Sequence, residues 1–123
     1  MPLNDAGKEI VSGSIRVHST LGPGLLESAY EPGLAHELIS RGLDVRTQVP
    51  LPIVYRDVRL DAGYRLDMVV GGTIVVEIKA VERLLPIHEA QLLSYLRLGG
   101  YPIRFLINFH ERHLKDGLRR FVI

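Results

Sequence analysis

The feature that most constrains this chain is an apolar stretch, residues 64–80, interrupted by charged side chains. Its two halves, rich in Val and Ile, flank Gly71-Gly72 and predict two β-strands joined by a glycine turn. Asp67 lies inside the first strand, and Glu77 and Lys79 lie inside the second. Because a buried charge is costly unless it is paired or bound to a metal, we expect these side chains to meet. Two carboxylates beside an ammonium predict a divalent-cation site.

The length of the turn decides whether the two carboxylates lie on one face of the sheet. Successive side chains of a strand point to opposite faces, so Glu77 shares a face with the lysine two residues on. A two-residue glycine turn would pair Asp67 with Val76 and place Asp67 on the opposite face. We therefore predict an odd-length loop or a bulge, with positive φ at the glycines. A three-residue loop is expected to pair Asp67 with Val75, on the face of Glu77.

Length and composition predict one soluble domain covering residues 1–123. The hydrophobic content of 46% and charged content of 24% are typical of globular proteins. The chain has no cysteine, which excludes disulfides, thiolate nucleophiles and cysteine-based zinc sites. No secretion signal or membrane-length apolar run is present, so we expect a cytoplasmic protein without membrane contact. The net charge of +1 gives no global attraction to nucleic acid, although the segment from Tyr101 onward is basic.

The rest of the chain predicts a mixed α/β domain. Two helices are expected first, one running to about Thr20 and the other spanning roughly residues 25–41. Pro32 falls inside the second helix and predicts either a bend near Ser28 or a new start at Pro32. An edge strand, a second strand, a central strand, a helix and two final strands follow, at residues 43–55, 58–70, 73–81, 87–98, 103–109 and 118–123. The helix after the central strand implies that its two flanking strands run parallel.

Two ordered motifs resemble known families. Gly22-Pro23-Gly24-Leu25-Leu26-Glu27-Ser28-Ala29-Tyr30 resembles the signature of the GxxExxY proteins. Asp67, followed by Glu77-x-Lys79 and then Gln91-x-x-x-Tyr95, resembles the PD-(D/E)XK nuclease superfamily in its RecB-type exonuclease branch. The resemblance runs from about residue 15 to residue 121. It implies a restriction-endonuclease-like core of α-β-β-β-α-β order, a mixed sheet flanked by helices, here with an added N-terminal helix and C-terminal strand.

The resemblance also implies a role for each residue of the motif. Asp67 and Glu77, completed by Glu27, would bind Mg²⁺ or Mn²⁺ through carboxylate oxygens. Lys79 would hold the attacking water and offset charge on the phosphate. The last two residues, four apart on one helix face, would orient the site or contact the DNA backbone; they are Gln91 and Tyr95. The sequence Glu31-Pro32-Gly33 departs from the family pattern and can move Glu27 relative to the other carboxylates.

The implied function is metal-dependent hydrolysis of nucleic acid phosphodiester bonds, with DNA as the expected substrate. A chain this close to a bare core favours a homodimer, a protein partner or a substrate with free ends. One alternative is a non-catalytic nucleic-acid-binding or protein-interaction module that keeps the fold, and another is a phosphoesterase for small nucleotides. Taken singly, Asp67 and Lys79 also fit a structural ion pair.

Four histidines admit a functional or a structural interpretation. His18 falls on a predicted helix face, where a histidine either approaches the site or packs with a hydrogen bond. His88, three residues before Gln91, is expected on the same helix face as Gln91. His110-x-x-His113 has the spacing of metal ligands, but its segment predicts an exposed turn and argues against zinc.

Overall fold

The structure, a computed structural model, describes residues 2–60 and 63–122, apart from the side chains of residues 95 and 96. Two helices, five strands, a third helix and two more strands follow one another along the described chain: α1 (Leu3–Leu21), α2 (Glu27–Ser40), β1 (Val45–Pro50), β2 (Ile53–Tyr55), β3 (Val58–Leu60), β4 (Arg65–Val70), β5 (Ile74–Lys79), α3 (Pro86–Gly99), β6 (Ile103–Asn108) and β7 (Leu118–Val122). A short 3₁₀ helix, Leu114–Gly117, precedes β7. None of the helices in this part of the chain is both long and apolar enough to cross a bilayer.

Five strands form one mixed sheet in the order β1-β4-β5-β6-β7. β5 and β6 run parallel, and the other neighbours in this sheet are antiparallel. α3 connects the parallel pair, because parallel strands need a long crossover. The predicted α/β class is confirmed, with β5 central and β1 at an edge.

The sheet separates two apolar clusters. α1 and α2 cover one face, where their buried side chains pack on alternate residues of the central strands; examples are Ile10, Leu34, Leu38, Met68, Val76 and Phe105. α3 covers the other face with Leu92, which packs on Val69, Val75 and Leu106. Burial on both faces explains why the central strands are almost continuously apolar.

Between α2 and the loop at residues 71–73, the chain forms four short strands where the sequence predicts two long ones. The predicted strands at residues 43–55 and 58–70 each divide in two, and residues 61 and 62 lie outside the described part. β2 and β3 form a separate hairpin, turned by Arg56 and Asp57 at φ of +48° and +65°. Pro50 ends β1 and Pro52 follows it, since proline cannot donate a ladder hydrogen bond.

α2 is one helix, so the predicted restart at Pro32 is wrong. Pro32 stands in the second turn, where its missing N–H removes a single bond to the carbonyl of Ser28. Tyr30 and Leu34 are both fully buried beside it, and this packing holds the helix together.

Candidate active site

A three-residue loop at residues 71–73 joins the two strands that carry the predicted site. Val70 pairs with Ile74 across it, and Thr73 N donates a hydrogen bond to Val70 O at 3.2 Å. Gly71 and Gly72 adopt φ of +60° and +72°, values that glycine reaches without a steric penalty. The predicted odd-length loop with positive φ is therefore confirmed.

The predicted pairing of Asp67 with Val75 is wrong. Val75 pairs with Val69, because counting back along β4 moves the partner forward along β5. Continuing that register sets Asp67 level with Glu77. The two carboxylates are thus direct cross-strand neighbours, closer than the sequence analysis placed them.

Two hydrogen bonds link Asp67 to β5, each between one carboxylate and one backbone N–H. Asp67 N donates to Glu77 Oε1 at 3.1 Å, and Ile78 N donates to Asp67 Oδ2 at 2.8 Å. On the β1 side of Asp67, Gln48 has φ of +53°. Thr47 and Val49 pair with β4, but Gln48 between them does not. The backbone is therefore distorted at the level of the sheet where side-chain carboxylates accept hydrogen bonds from backbone N–H groups. We call Asp67 and Glu77 the carboxylate pair.

Burial, together with repulsion and side-chain contact from the neighbouring Asp67 carboxylate, raises the pKa of Glu77 to about 8. Lys79 acts in the opposite direction, but its effect is the smallest of the causes. Glu77 is only 6% exposed. Within residues 2–60 and 63–122, the only ion pairs are those of Arg41 with glutamates, so no bridge neutralises the carboxylate pair.

The donor set of the carboxylate pair fits a hard divalent cation, which prefers carboxylate oxygens. The raised pKa of Glu77 shows that the site favours added positive charge, which a proton supplies when no metal is bound. The described residues contain no group of three or more His, Asp or Glu side chains suited to hold a metal. A cation here would therefore complete its shell with water and substrate oxygens, as Mg²⁺ commonly does.

Glu27 lies at the same end of the sheet, but on a different backbone group. Its Oε1 accepts a hydrogen bond from Ala80 N at 3.3 Å, just after β5 ends. Tyr30 fixes this position by closing the loop before α2: its hydroxyl donates to Gly22 O at 2.6 Å and accepts from Leu25 N at 3.0 Å. The structure therefore does not bring Glu27 into a three-carboxylate cluster, and its metal role stays a prediction.

Lys79 and Gln91 meet Glu77 around a small cavity of about 30 Å³. His88 lines the same cavity, and its Nδ1 accepts a hydrogen bond from Leu85 N at 2.9 Å in the first turn of α3. His88 and Gln91 therefore lie on one side of α3, at the cavity beside Glu77. Tyr95 belongs to α3, but its side chain lies outside the described residues.

Asn108 organises this end of the sheet and was missed by the sequence analysis. It is fully buried at the end of β6, level with Lys79 on β5. Its Oδ1 accepts from Val81 N at 3.0 Å and from His110 N at 3.3 Å, and its Nδ2 donates to Val81 O at 2.8 Å. The available signal was a single amide at the end of a strand that is apolar apart from Arg104.

The other histidines contribute to packing or lie at the surface. His18 Nε2 donates to Glu111 O at 2.6 Å, and its ring lies 6.4 Å from the ring of Phe109. His110 and His113 are exposed, and neither belongs to a metal-holding group within the described chain.

Comparison with known proteins agrees with this geometry. A family model described as the PD-(D/E)XK nuclease superfamily matches residues 4–121. Comparisons with curated proteins and with solved structures gave no significant match. The mixed five-stranded sheet with helices on both faces is consistent with the restriction-endonuclease-like core of that superfamily. Because the match covers nearly the whole sequence, the chain belongs to the PD-(D/E)XK nuclease superfamily.

Proposed function

We propose that the protein hydrolyses phosphodiester bonds of DNA with the help of a divalent cation, Mg²⁺ or Mn²⁺, held by Asp67 and Glu77. The observation that carries this proposal is the carboxylate pair itself. Asp67 and Glu77 each accept a backbone N–H hydrogen bond across two neighbouring strands of a nuclease-superfamily chain, and burial together with the Asp67 carboxylate raises the pKa of Glu77 to about 8. Such a pair gains most from a bound cation.

The family resemblance gives each residue of the candidate site a role, which the surroundings of the described side chains support. A bound divalent cation would polarise the scissile phosphate and lower the pKa of a coordinated water. Lys79, half-buried at the cavity beside Glu77, would hold the attacking water and offset negative charge on the phosphate. Gln91 would donate a hydrogen bond to the substrate or to that water. Glu27 would act through a water from its place on Ala80 N, and Tyr95 would contact the DNA backbone.

We also infer the finer kinship with the GxxExxY proteins. The tyrosine of that signature, Tyr30, has a physical task here: its hydroxyl closes the loop from Gly22 to Leu25. The closed loop sets where α2 starts, and so where the carboxylate of Glu27 lies. The spacing of the signature residues thus corresponds to one local structure that supports the site.

A cleavage assay tests the proposal. Linear and circular DNA, labelled on both strands, are incubated with Mg²⁺ or Mn²⁺ and either wild type or the Lys79→Ala variant. We expect metal-dependent cleavage that falls at least about 100-fold in the variant, the scale of losing one charge-stabilising donor. Cleavage limited to linear DNA would mark an exonuclease. RNA run in parallel tests the choice of DNA, and equal cleavage by the variant would contradict the role of Lys79.

The second candidate is a non-catalytic nucleic-acid-binding or protein-interaction module with the same fold. It is favoured by one observation, the lack of a third close ligand within the described residues. Binding of Mn²⁺ to the carboxylate pair separates the two readings. A small-nucleotide phosphoesterase would need a pocket that encloses its substrate and is closed to a polymer, and the cavity of about 30 Å³ beside Glu77 is too small to enclose a nucleotide. A homodimer or protein partner stays a prediction, which sedimentation velocity tests.

A further inference from the structure

A basic groove lies between the last turns of α1 and the segment that follows β6. The cavity measures about 780 Å³. Its charged lining consists of Arg112 and Lys115, with His18 and His113 beside them, against the single carboxylate of Asp116. We call this cavity the basic groove. Its charge is that of a site for an anion, whereas the cavity at Glu77 and Lys79 is small and partly acidic.

The cations of the basic groove are available to a ligand. Arg112, His113 and Lys115 are exposed, and none of them forms an ion pair with any residue that the structure describes. Unpaired cations along a concave surface raise the local positive potential more than the same charges on a convex one. The near-neutral total charge of the chain therefore conceals a local attraction for polyanions.

The wall that carries these cations is held in place. His18 Nε2 donates to Glu111 O at 2.6 Å, and Leu114 is 4% exposed beneath the segment. Gly117 lies so close to Asn108 that an added Cβ would stand 2.5 Å from Asn108 O. A fixed wall needs little ordering when a ligand binds.

The basic groove lies beyond the ends of β5 and β6, where the candidate site also lies. Asn108, which packs against Gly117, also binds the backbone of Val81, two residues after Lys79. On the other wall, Gly22 begins the loop that Tyr30 closes before Glu27. The groove and the site therefore lie at the same end of these two strands, with α1 of the groove on one face of the sheet and α3 of the site on the other.

We infer that the basic groove binds the sugar–phosphate backbone of the nucleic acid substrate, away from the scissile bond. This inference rests on the proposed function, since it names the surface that holds the substrate of the same site. A phosphate backbone is the occupant whose charge complements Arg112 and Lys115. Contacts of this kind position the strand without reading its bases, so the groove contributes affinity and no sequence preference.

The test compares two double variants that each remove two exposed cations. Arg112→Ala/Lys115→Ala alters the basic groove, whereas Lys8→Ala/Arg120→Ala alters a different cavity, between α1 and β7. Binding of labelled duplex and single-stranded DNA is measured in Ca²⁺ at several salt concentrations. We expect weaker binding by the groove variant and a salt slope smaller by about 2, with the control variant close to wild type. With cleaved substrate, KM should rise while kcat stays unchanged.

The outcomes separate this inference from the proposed function. Weaker binding by the groove variant, in a protein that cleaves no DNA, supports the groove and contradicts the nuclease proposal. Cleavage with equal binding by both double variants and wild type overturns the groove and leaves the nuclease proposal intact. A wild type that does not bind DNA at low salt, or a control variant that loses as much affinity as the groove variant, also overturns the inference. Circular dichroism confirms that both variants fold.

Discussion

Glu77 and Arg104 are both buried charges on the face of the sheet that α3 covers, yet their surroundings differ. They are 6% and 1% exposed, and burial favours the neutral form of each group. It is the largest cause that raises the pKa of Glu77 to about 8, and it lowers the pKa of Arg104 to about 10. Glu77 adjoins a second carboxylate and a water-sized cavity beside Lys79. Arg104 donates one long hydrogen bond from Nη2 to Tyr101 O at 3.5 Å, and its Nε has no partner among the described residues.

The difference teaches that burial of a charge does not by itself mark a functional site. Burial destabilises the charged form of both groups by the same physical cause. Only Glu77 combines that penalty with a second group of like charge and with room for a cation. The candidate site is therefore defined by what surrounds the charge, and the comparison can be tested by removing each charge in turn.

The largest expected effect is the pH dependence of stability without metal. Glu77 has an ordinary pKa of 4.5 when unfolded and about 8 when folded. Between these values the folded state holds one more proton, so the free energy of unfolding falls as pH rises, by up to about 1.4 kcal/mol per pH unit. Urea unfolding in EDTA across this range should show Glu77→Gln gaining stability over wild type as pH increases. A constant difference between the two proteins would contradict the raised pKa.

The next effect is stabilisation by Mn²⁺. At about 100 times its Kd, a ligand that binds only the folded state stabilises it by about 2.7 kcal/mol. Wild type and Arg104→Met should both gain this in urea unfolding at neutral pH, whereas Glu77→Gln and Asp67→Ala/Glu77→Ala should not. If Mn²⁺ does not stabilise Arg104→Met, the two buried charges do not differ in their importance for metal binding. A wild type that gains nothing would favour the non-catalytic module.

The smallest effect concerns Arg104 itself. Replacing a buried, poorly bonded cation with an apolar residue of similar size is often neutral or stabilising, so Arg104→Met should change the free energy of unfolding by between zero and about +2 kcal/mol. Phe105→Ala, at the next position and facing the other apolar cluster, provides the control and should lose about 3–5 kcal/mol. A loss above about 2 kcal/mol in Arg104→Met would show that the guanidinium has a stabilising role.

The sequence predicted those parts of the fold that depend on local signals. The apolar runs, the glycine turn and the crossover helix located β5, α3 and β6 to within two residues at each end, and they located the C-terminal end of β4 at Val70. The same signals failed at the β2–β3 hairpin, because Val54, Tyr55 and Val58 resemble a continuing buried strand but are more than half exposed. Alternation of residue types indicates a strand, but it does not indicate which sheet the strand joins.

The site was predictable as a set of residues but not as an arrangement. The motif singled out Glu77, Lys79 and Gln91, and in the structure all three line one cavity. The contact of Glu27 with Ala80 joins positions far apart in the sequence, and the packing of α2 determines it. No local pattern encodes such a distance, which explains why its place relative to the other carboxylates could not be predicted.

The loop at residues 71–73 sets, by its number of residues, which side chain of β5 lies level with Asp67. Its exposed residues form no recorded hydrogen bond with the carboxylate pair, and surface loops ordinarily accept insertions. Here, one residue more or fewer would offset β4 against β5 by one position, so that Asp67 would lie level with an apolar neighbour of Glu77 and point to the other side of the sheet. Only changes of two residues keep both carboxylates on one side. The length of this surface loop is therefore constrained to change in steps of two residues, although the loop forms no hydrogen bond with the carboxylate pair.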